Sequence, residues 1–180
     1  MAEDKPTFPT RRLHHVGVVV KDMEKAIAQM EALGFGPFMF DETHRTFAID
    51  FKGELHGEPA EWTTLISNAK MGDVELELLE PVAGNQALKE TLDAQGEGLH
   101  HIGWLTTDLL GDMAKAKAAG ATVWTSSIVP GQPGFFYLDN SPIGNVAIEL
   151  REPLADESCA HIRPLRHAGR GDPRTDSRPR

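Results

Sequence analysis

The sequence predicts an α+β fold built from two copies of one strand–helix–strands module, and three observations carry that expectation. First, Leu13-His-His-Val-Gly-Val-Val-Val-Lys-Asp22 matches Leu99-His-His-Ile-Gly-Trp-Leu-Thr-Thr-Asp108 at an offset of 86, with Leu, His, His, Gly and Asp identical. Second, Gly72-Asp-Val-Glu-Leu-Glu-Leu-Leu-Glu-Pro81 matches Gly144-Asn-Val-Ala-Ile-Glu-Leu-Arg-Glu-Pro153 at an offset of 72, so the first copy holds 14 more residues between its ends. Third, each copy passes from a β-branched run to a helical stripe and then to short extended runs. The modules are expected at 11–83 and 97–153. A connector spans 84–96, with a flexible start at 1–10 and a basic, largely disordered tail at 154–180.

Residues 13–20 read as a strand from their β-branched content. Asp22 then stands where an N-cap belongs, its carboxylate able to accept from the free amides of a first turn. Met23, Ala26, Ile27, Met30 and Leu33 follow as one apolar helical stripe, and Gly34 suits the left-handed position that ends it. The second copy repeats this with Asp108, Leu109, Met113, Ala116 and Gly120. Extended runs are expected at 38–41, 46–52, 62–67 and 74–80, then at 122–126, 134–139 and 146–151. Residues 85–95 read as a connecting helix capped by Asn85 and closed by Gly96. A sheet built this way must cover its apolar face, and pairing the two copies does so.

The composition, 40% hydrophobic and 25% charged over 180 residues, is that of an ordinary globular protein. No apolar run approaches the roughly 20 residues of a membrane-spanning helix. Met1-Ala-Glu-Asp-Lys-Pro6 does not read as a signal peptide. Cys159 is the single cysteine, which excludes an internal disulfide and thiolate zinc clusters; a reducing, cytoplasmic location is expected. The net charge of −9 argues against a nucleic-acid partner. Six arginines and two acids fall in 161–180, leaving twelve cations against twenty-five acids in 1–160.

The repeat also selects residues for chemistry. Side chains alternate along a strand, so His15 shares a face with Gly17, and His101 with Gly103; each glycine leaves room for something bulky over the strand. Glu77 and Glu149 are repeat mates among aliphatic neighbours, where an ionised carboxylate is costly without a cation. No Lys or Arg recurs in both copies to supply one. Two imidazoles and two carboxylates, one of each per copy, suit a divalent metal such as Fe, Co, Ni, Zn or Mn. A metal with open positions is a Lewis acid. Glu75, on the Glu77 face, is a rival ligand or the base. His14 and His100 are expected on the opposite face in structural roles. Trp62, Phe135, Phe136 and Tyr137 are candidates to line a pocket, with Trp62, Phe136 and Tyr137 taken as the substrate-binding set, and core packing is the competing reading.

These same segments, with Gly96-Glu-Gly-Leu-His-His-Ile-Gly103, resemble the vicinal-oxygen-chelate superfamily over about residues 12–153, especially its methylmalonyl-CoA epimerase-like and glyoxalase-like branches. The resemblance implies duplicated βαβββ modules forming a cupped mixed sheet around a metal. It implies ligands at His15, Glu77, His101 and Glu149; Glu149 and, from its place on the Glu77 face, Glu75 are the catalytic candidates, the resemblance itself not placing the base. It implies a metal that chelates vicinal oxygens and stabilises the enolate formed when an α-proton is removed. Epimerases of this kind are shorter between the first helix and the second ligand strand and carry a base there; here residues 40–62 enlarge that region. No glutathione site is evident, and Arg11, Arg12, Lys21 and Lys52 are the cations that could meet CoA phosphates.

The resemblance thus implies a metal-dependent isomerase, epimerase or lyase acting by proton transfer beside a chelated carbonyl, with an acyl-CoA epimerase as the leading version. A glyoxalase-type lyase, an extradiol-type dioxygenase and a metal-free small-molecule binding protein are the rivals. The expected partners are a small substrate with vicinal oxygens or an acyl-CoA, and a second copy of the chain in a homodimer.

Overall fold

A computed structural model describes residues 12–139, 144–153 and 162–164. The first half runs β1 (Arg12–Val19), α1 (Met23–Ala32), β2 (Phe47–Leu55), β3 (Glu58–Met71) and β4 (Val74–Gly84). Helix α2 (Ala87–Gln95) connects it to β5 (Gly98–Leu105), α3 (Leu109–Ala118), β6 (Val123–Ser127), β7 (Phe135–Leu138) and β8 (Ala147–Arg151). The expected flexible start at 1–10 lies outside the described residues. So does the expected tail, apart from the short strand β9 (Ile162–Pro164), which pairs with Phe47–Ile49 of β2.

Local chemistry sets the helices. Asp22 accepts from the Lys25 amide at 3.0 Å and Asp108 from the Gly111 amide at 3.0 Å, so both repeat-related acids are N-caps. Gly34 and Gly120 follow at φ of 87° and 86°. Met23 and Ile27 of α1 are buried against Phe38 and Leu78, while Leu109 of α3 packs on Phe136 and Leu150. The stripe on α1 ends one residue early: the helix stops at Ala32 and Leu33 is 73% exposed.

Three expectations need correction. Residues 38–41 make only an isolated bridge, Met39 to Asn68, rather than a strand. The α2 N-cap is Gln86, not Asn85, and it makes no side-chain cap. Its buried carboxamide instead accepts from Thr64 Oγ1 and donates to the Thr63 and Ala83 carbonyls, tying α2 to the β3–β4 ladder. The runs at 46–52 and 62–67 are parts of one long hairpin. His56 and Gly57 both take positive φ (53° and 82°), the handedness of a two-residue turn that matches strand twist.

The two halves meet where β1 runs antiparallel to β5, and each closing strand lies parallel to its own first strand, β4 to β1 and β8 to β5. The sheet order is β3-β4-β1-β5-β8-β7-β6-β2-β9, and β2 pairs with β3 as well, so the first eight strands return on themselves. The helices α1 and α3 cover the outer face, and the inner face lines a cavity. Closure depends on the hairpin: Glu54 and Leu55 pair with Ser126 and Thr125. At Gly53 a Cβ would sit 1.8 Å from the Ser126 carbonyl oxygen, a backbone atom that cannot step aside. Gly53→Ala is therefore expected to break this seam and destabilise the fold by about 1–3 kcal/mol, as overpacking does. Thermal melting checks the loss, and faster amide exchange in the hairpin tip and β6 locates it. Among the described residues no helix is long and apolar enough to cross a membrane.

Candidate metal centre

Strand register alone places the residues of the centre. Across the sheet one row reads Glu75, His15, Gly103, Glu149, Tyr137, and the next reads Glu77, Gly17, His101, Ala147. In each row a glycine separates the histidine of one half from the carboxylate that the other half presents. Strands lie about 4.8 Å apart, so an imidazole must lean over the glycine to reach a carboxylate two strands away. It does. A Cβ at Gly103 would sit 2.1 Å from His15 Cε1, and one at Gly17 would sit 2.1 Å from His101 Cε1. The bulky group for which each glycine makes room is the histidine ring of the opposite half.

The four repeat-selected side chains converge as a result. His15 Nε2 and His101 Nε2 are 2.8 Å apart. Glu149 Oε2 lies 2.6 Å from His15 Nε2 and 3.3 Å from His101 Nε2. Glu77 Oε2 is 3.4 Å and 3.6 Å from the same two nitrogens. His15, His101 and Glu149 form the tightest group, with ligand atoms all within 4.8 Å of one another. All four residues are buried. Despite its close approach, Glu149 Oε2 has no aligned hydrogen-bond partner. Two nitrogens in contact, two buried carboxylates and an oxygen without a hydrogen bond form a donor set that a divalent cation would satisfy.

Electrostatics in the cluster point the same way. Burial alone would push the Glu149 and Glu77 carboxyls up, but the His15 and His101 imidazoles beside them hold both below the ordinary value, Glu149 the more strongly. Burial opposes charge on His101 too, yet Glu149 and Glu77 push it up to about 9. The stabilisation from this raised group is complete below the ordinary histidine value and is lost as pH rises through about 9. A metal competes for the same nitrogen and must displace its proton. Uptake of a divalent cation at pH 7 is therefore expected to release protons, with apparent affinity rising from pH 7 to about 9. Calorimetry in buffers of different ionisation enthalpy reads both.

His14 departs from expectation. In the β1–β5 ladder Leu13 pairs with Trp104 and His15 with Gly103, leaving His14 as an extra residue; Gly17 pairs with His101 and Val18 with Leu99, leaving His100 as its counterpart. These bulges break strict alternation. His14 consequently lines the cavity, with Nδ1 2.9 Å from His15 Nδ1. His100 is stacked on Trp124 and has Nδ1 2.8 Å from His101 Nδ1. Burial, reinforced by His101, pushes His100 down to about 3, so it stays neutral and can accept from the His101 Nδ1–H. That contact leaves His101 Nε2 as the atom aimed at the carboxylates.

The cluster borders a cavity of about 840 Å³. Trp62 and Tyr137 line it, but Phe136 does not: it is fully buried against Leu109 and Leu150. Alternation along β7 explains this, because Tyr137 pairs with Glu149 on the inner face while Phe136 pairs with Leu150 on the outer one. Phe135 takes the inner position instead. Tyr137 stacks on His101 with centroids 4.8 Å apart, and burial together with Glu149 and Glu77 pushes its hydroxyl well above the usual range. Glu75 lines the cavity with its carboxylate ion-paired to Lys70. Phe51 and Arg151 also line it. The sequence did not single them out, since neither has a repeat mate of its own kind.

A profile of the Glyoxalase/Bleomycin resistance protein/Dioxygenase superfamily matches residues 14–138. No protein of curated function matches the chain. Among solved structures, a Streptomyces coelicolor methylmalonyl-CoA epimerase in complex with 2-nitronate-propionyl-CoA is 24% identical, with 82% of this chain and 100% of that one covered at a TM-score of 0.53. A methylmalonyl-CoA epimerase in complex with methylmalonyl-CoA is 25% identical over 83% of this chain and 99% of the other, TM-score 0.53. A variant of 4-hydroxymandelate synthase from Streptomyces coelicolor is 15% identical over 82% of this chain and 40% of that one, TM-score 0.52. Such likeness speaks to the fold, and the fold, the duplicated halves and the profile agree. The chain belongs to the glyoxalase/bleomycin resistance protein/dioxygenase superfamily.

Proposed function

We propose that this protein is a metal-dependent isomerase, epimerase or lyase that moves a proton on the carbon next to a carbonyl. The observation that carries the proposal is the convergence of His15, His101, Glu149 and Glu77 at the wall of a cavity large enough for a small-molecule substrate. These four would hold a divalent metal, whose chemistry when bound is Lewis acidity toward the substrate oxygens.

The rest is done by the chain. Glu75 and Glu149 stand in one row on either side of the His15–Gly103 pair. Two carboxylates so placed let one take a proton from the α-carbon while the other returns one, the arrangement an epimerase or isomerase needs. Lys70 holds the Glu75 side chain by its ion pair. Tyr137 keeps its proton at neutral pH and its ring braces His101. The mostly apolar lining lowers the polarity around these groups, which strengthens each of these interactions.

An acyl thioester and a free oxo acid both suit this chemistry, the first by analogy with the epimerase complexes above. The test is metal content together with exchange of the α-proton. One equivalent of metal after reconstitution, and deuterium uptake from D₂O at the α-carbon of a bound carbonyl compound, are expected. No stoichiometric metal would end the enzymatic proposal. Oxygen consumption with catechols would replace it by the dioxygenase. A homodimer is part of the proposal, and sedimentation velocity measures it.

A further inference from the structure

The 14 extra residues of the first half have a visible consequence. Phe51 and Trp62, on the enlarged hairpin, meet Phe135 and Tyr137 of the second half along the cavity wall. Phe51 stacks on Trp62 at 5.5 Å and meets Phe135 edge-on at 5.4 Å; Phe135 is 5.3 Å from Tyr137, which in turn covers His101. The insertion thus extends a continuous aromatic wall, here called the box, that runs along the cavity to the ligand cluster.

The charges around the box are as specific. Among the described residues the lining cations are Lys70 and Arg151, apart from histidines, against Asp41, Glu75, Glu77 and Glu149. Lys70 is paired with Glu75. Among the described residues Arg151 has no ion-pair partner, although it shares the cavity face of β8 with Glu149, two positions or about 6.6 Å along the strand. Among the described residues no cluster of free cations suits a string of phosphates. Lys52 is ion-paired with Glu61, Arg12 and Lys21 do not line the cavity, and Arg11 lies outside the described residues.

We infer that the substrate is a free carboxylic acid with a bulky aromatic or branched apolar body, its carboxylate met by Arg151 and its body held in the Phe51–Trp62–Phe135–Tyr137 box, rather than a coenzyme A thioester. This rests on the proposed function for the carbonyl chemistry, but the recognition elements belong to the chain alone. A guanidinium reads a carboxylate through paired N–H donors, and in a mostly apolar cavity that contact discriminates strongly against a neutral analogue.

Calorimetry on the full chain, metal-free and metal-loaded, tests the assignment with four probes: 2-oxo-4-phenylbutanoate, its primary amide, pyruvate and propionyl-CoA. The aromatic acid is expected to bind at least tenfold more tightly than each of the other three. Arg151→Gln is expected to erase the acid-over-amide ratio, and Arg151→Lys to restore part of it. The acid-over-pyruvate ratio in the unmodified protein tests the aromatic box without any variant. Tighter binding of propionyl-CoA than of the acid, an acid-over-amide ratio unchanged by Arg151→Gln, or no binding of the acid would each overturn the inference. Binding of the acid through Arg151 by a chain that takes up no metal would uphold the inference while ending the proposed reaction. Metal uptake without acid binding would do the reverse.

Discussion

Glu149→Gln is expected to bind divalent metal at least about 100-fold more weakly than the unmodified protein and to lose turnover with it. Glu149 Oε2 approaches both imidazoles, at 2.6 Å and 3.3 Å, closer than Glu77 does. Substitutions that only touch a ligand's partner already cost 10–100-fold in metal affinity, so removal of a charged ligand sets a larger floor. The amide keeps the shape of the side chain but not its charge. It leaves the His101 imidazolium of the metal-free protein with Glu77 as its remaining buried carboxylate. Breaking a buried charge pair costs about 3–5 kcal/mol, so the metal-free variant should also melt lower. Glu75→Gln is the control. It lies on the cavity wall outside the cluster and should keep its metal while losing proton exchange. Metal analysis by mass spectrometry and D₂O exchange separate the two, and a Glu149→Gln protein that keeps one tightly bound metal would refute the ligand assignment.

Gly103→Ala and Gly17→Ala are expected to dislodge a histidine each, and from the opposite half of the molecule. A methyl at Gly103 would overlap the His15 ring, and one at Gly17 the His101 ring, with carbon–carbon distances of 2.1 Å where ordinary contact needs about 3.5–4.0 Å. Both rings are buried, so neither can move aside freely. Strain of this kind costs about 1–3 kcal/mol, and the ring that turns away takes its Nε2 out of the cluster. Metal affinity should fall at least tenfold in either variant while the secondary structure persists. Cobalt(II) absorption, which responds to the number of nitrogen ligands, and circular dichroism together test this. Full metal affinity in Gly103→Ala would show that the crossed packing of imidazole over glycine is not what aims the ligands.

The duplication was legible because it is written twice: Leu-His-His-x-Gly with its capping Asp, and Gly-x-Val-x-x-Glu-Leu, in the same order. The helix caps at Asp22 and Asp108 were legible because capping is a contact between residues three apart. His15, Glu77, His101 and Glu149 were selected by symmetry, and the fold brings them within a few ångströms of one another. Other features were hidden. The bulges that turn His14 toward the cavity arise from mismatch between two strands 86 positions apart, and neither strand signals it by itself. The exchange of Phe136 for Phe135 is a matter of phase: the aromatic run Phe135-Phe136-Tyr137 fits either face until pairing with β8 chooses one.

Sequence by itself therefore determined the two halves, their helices and the identity of the four converging residues, since those follow from local spacing and from repetition. Tertiary structure alone decided which glycine shelters which imidazole, how the enlarged hairpin closes against β6 to form an aromatic wall, and that Arg151 lines the same cavity. Each of these depends on strand register between distant segments, where a shift of one residue reverses every face and no local pattern carries the information.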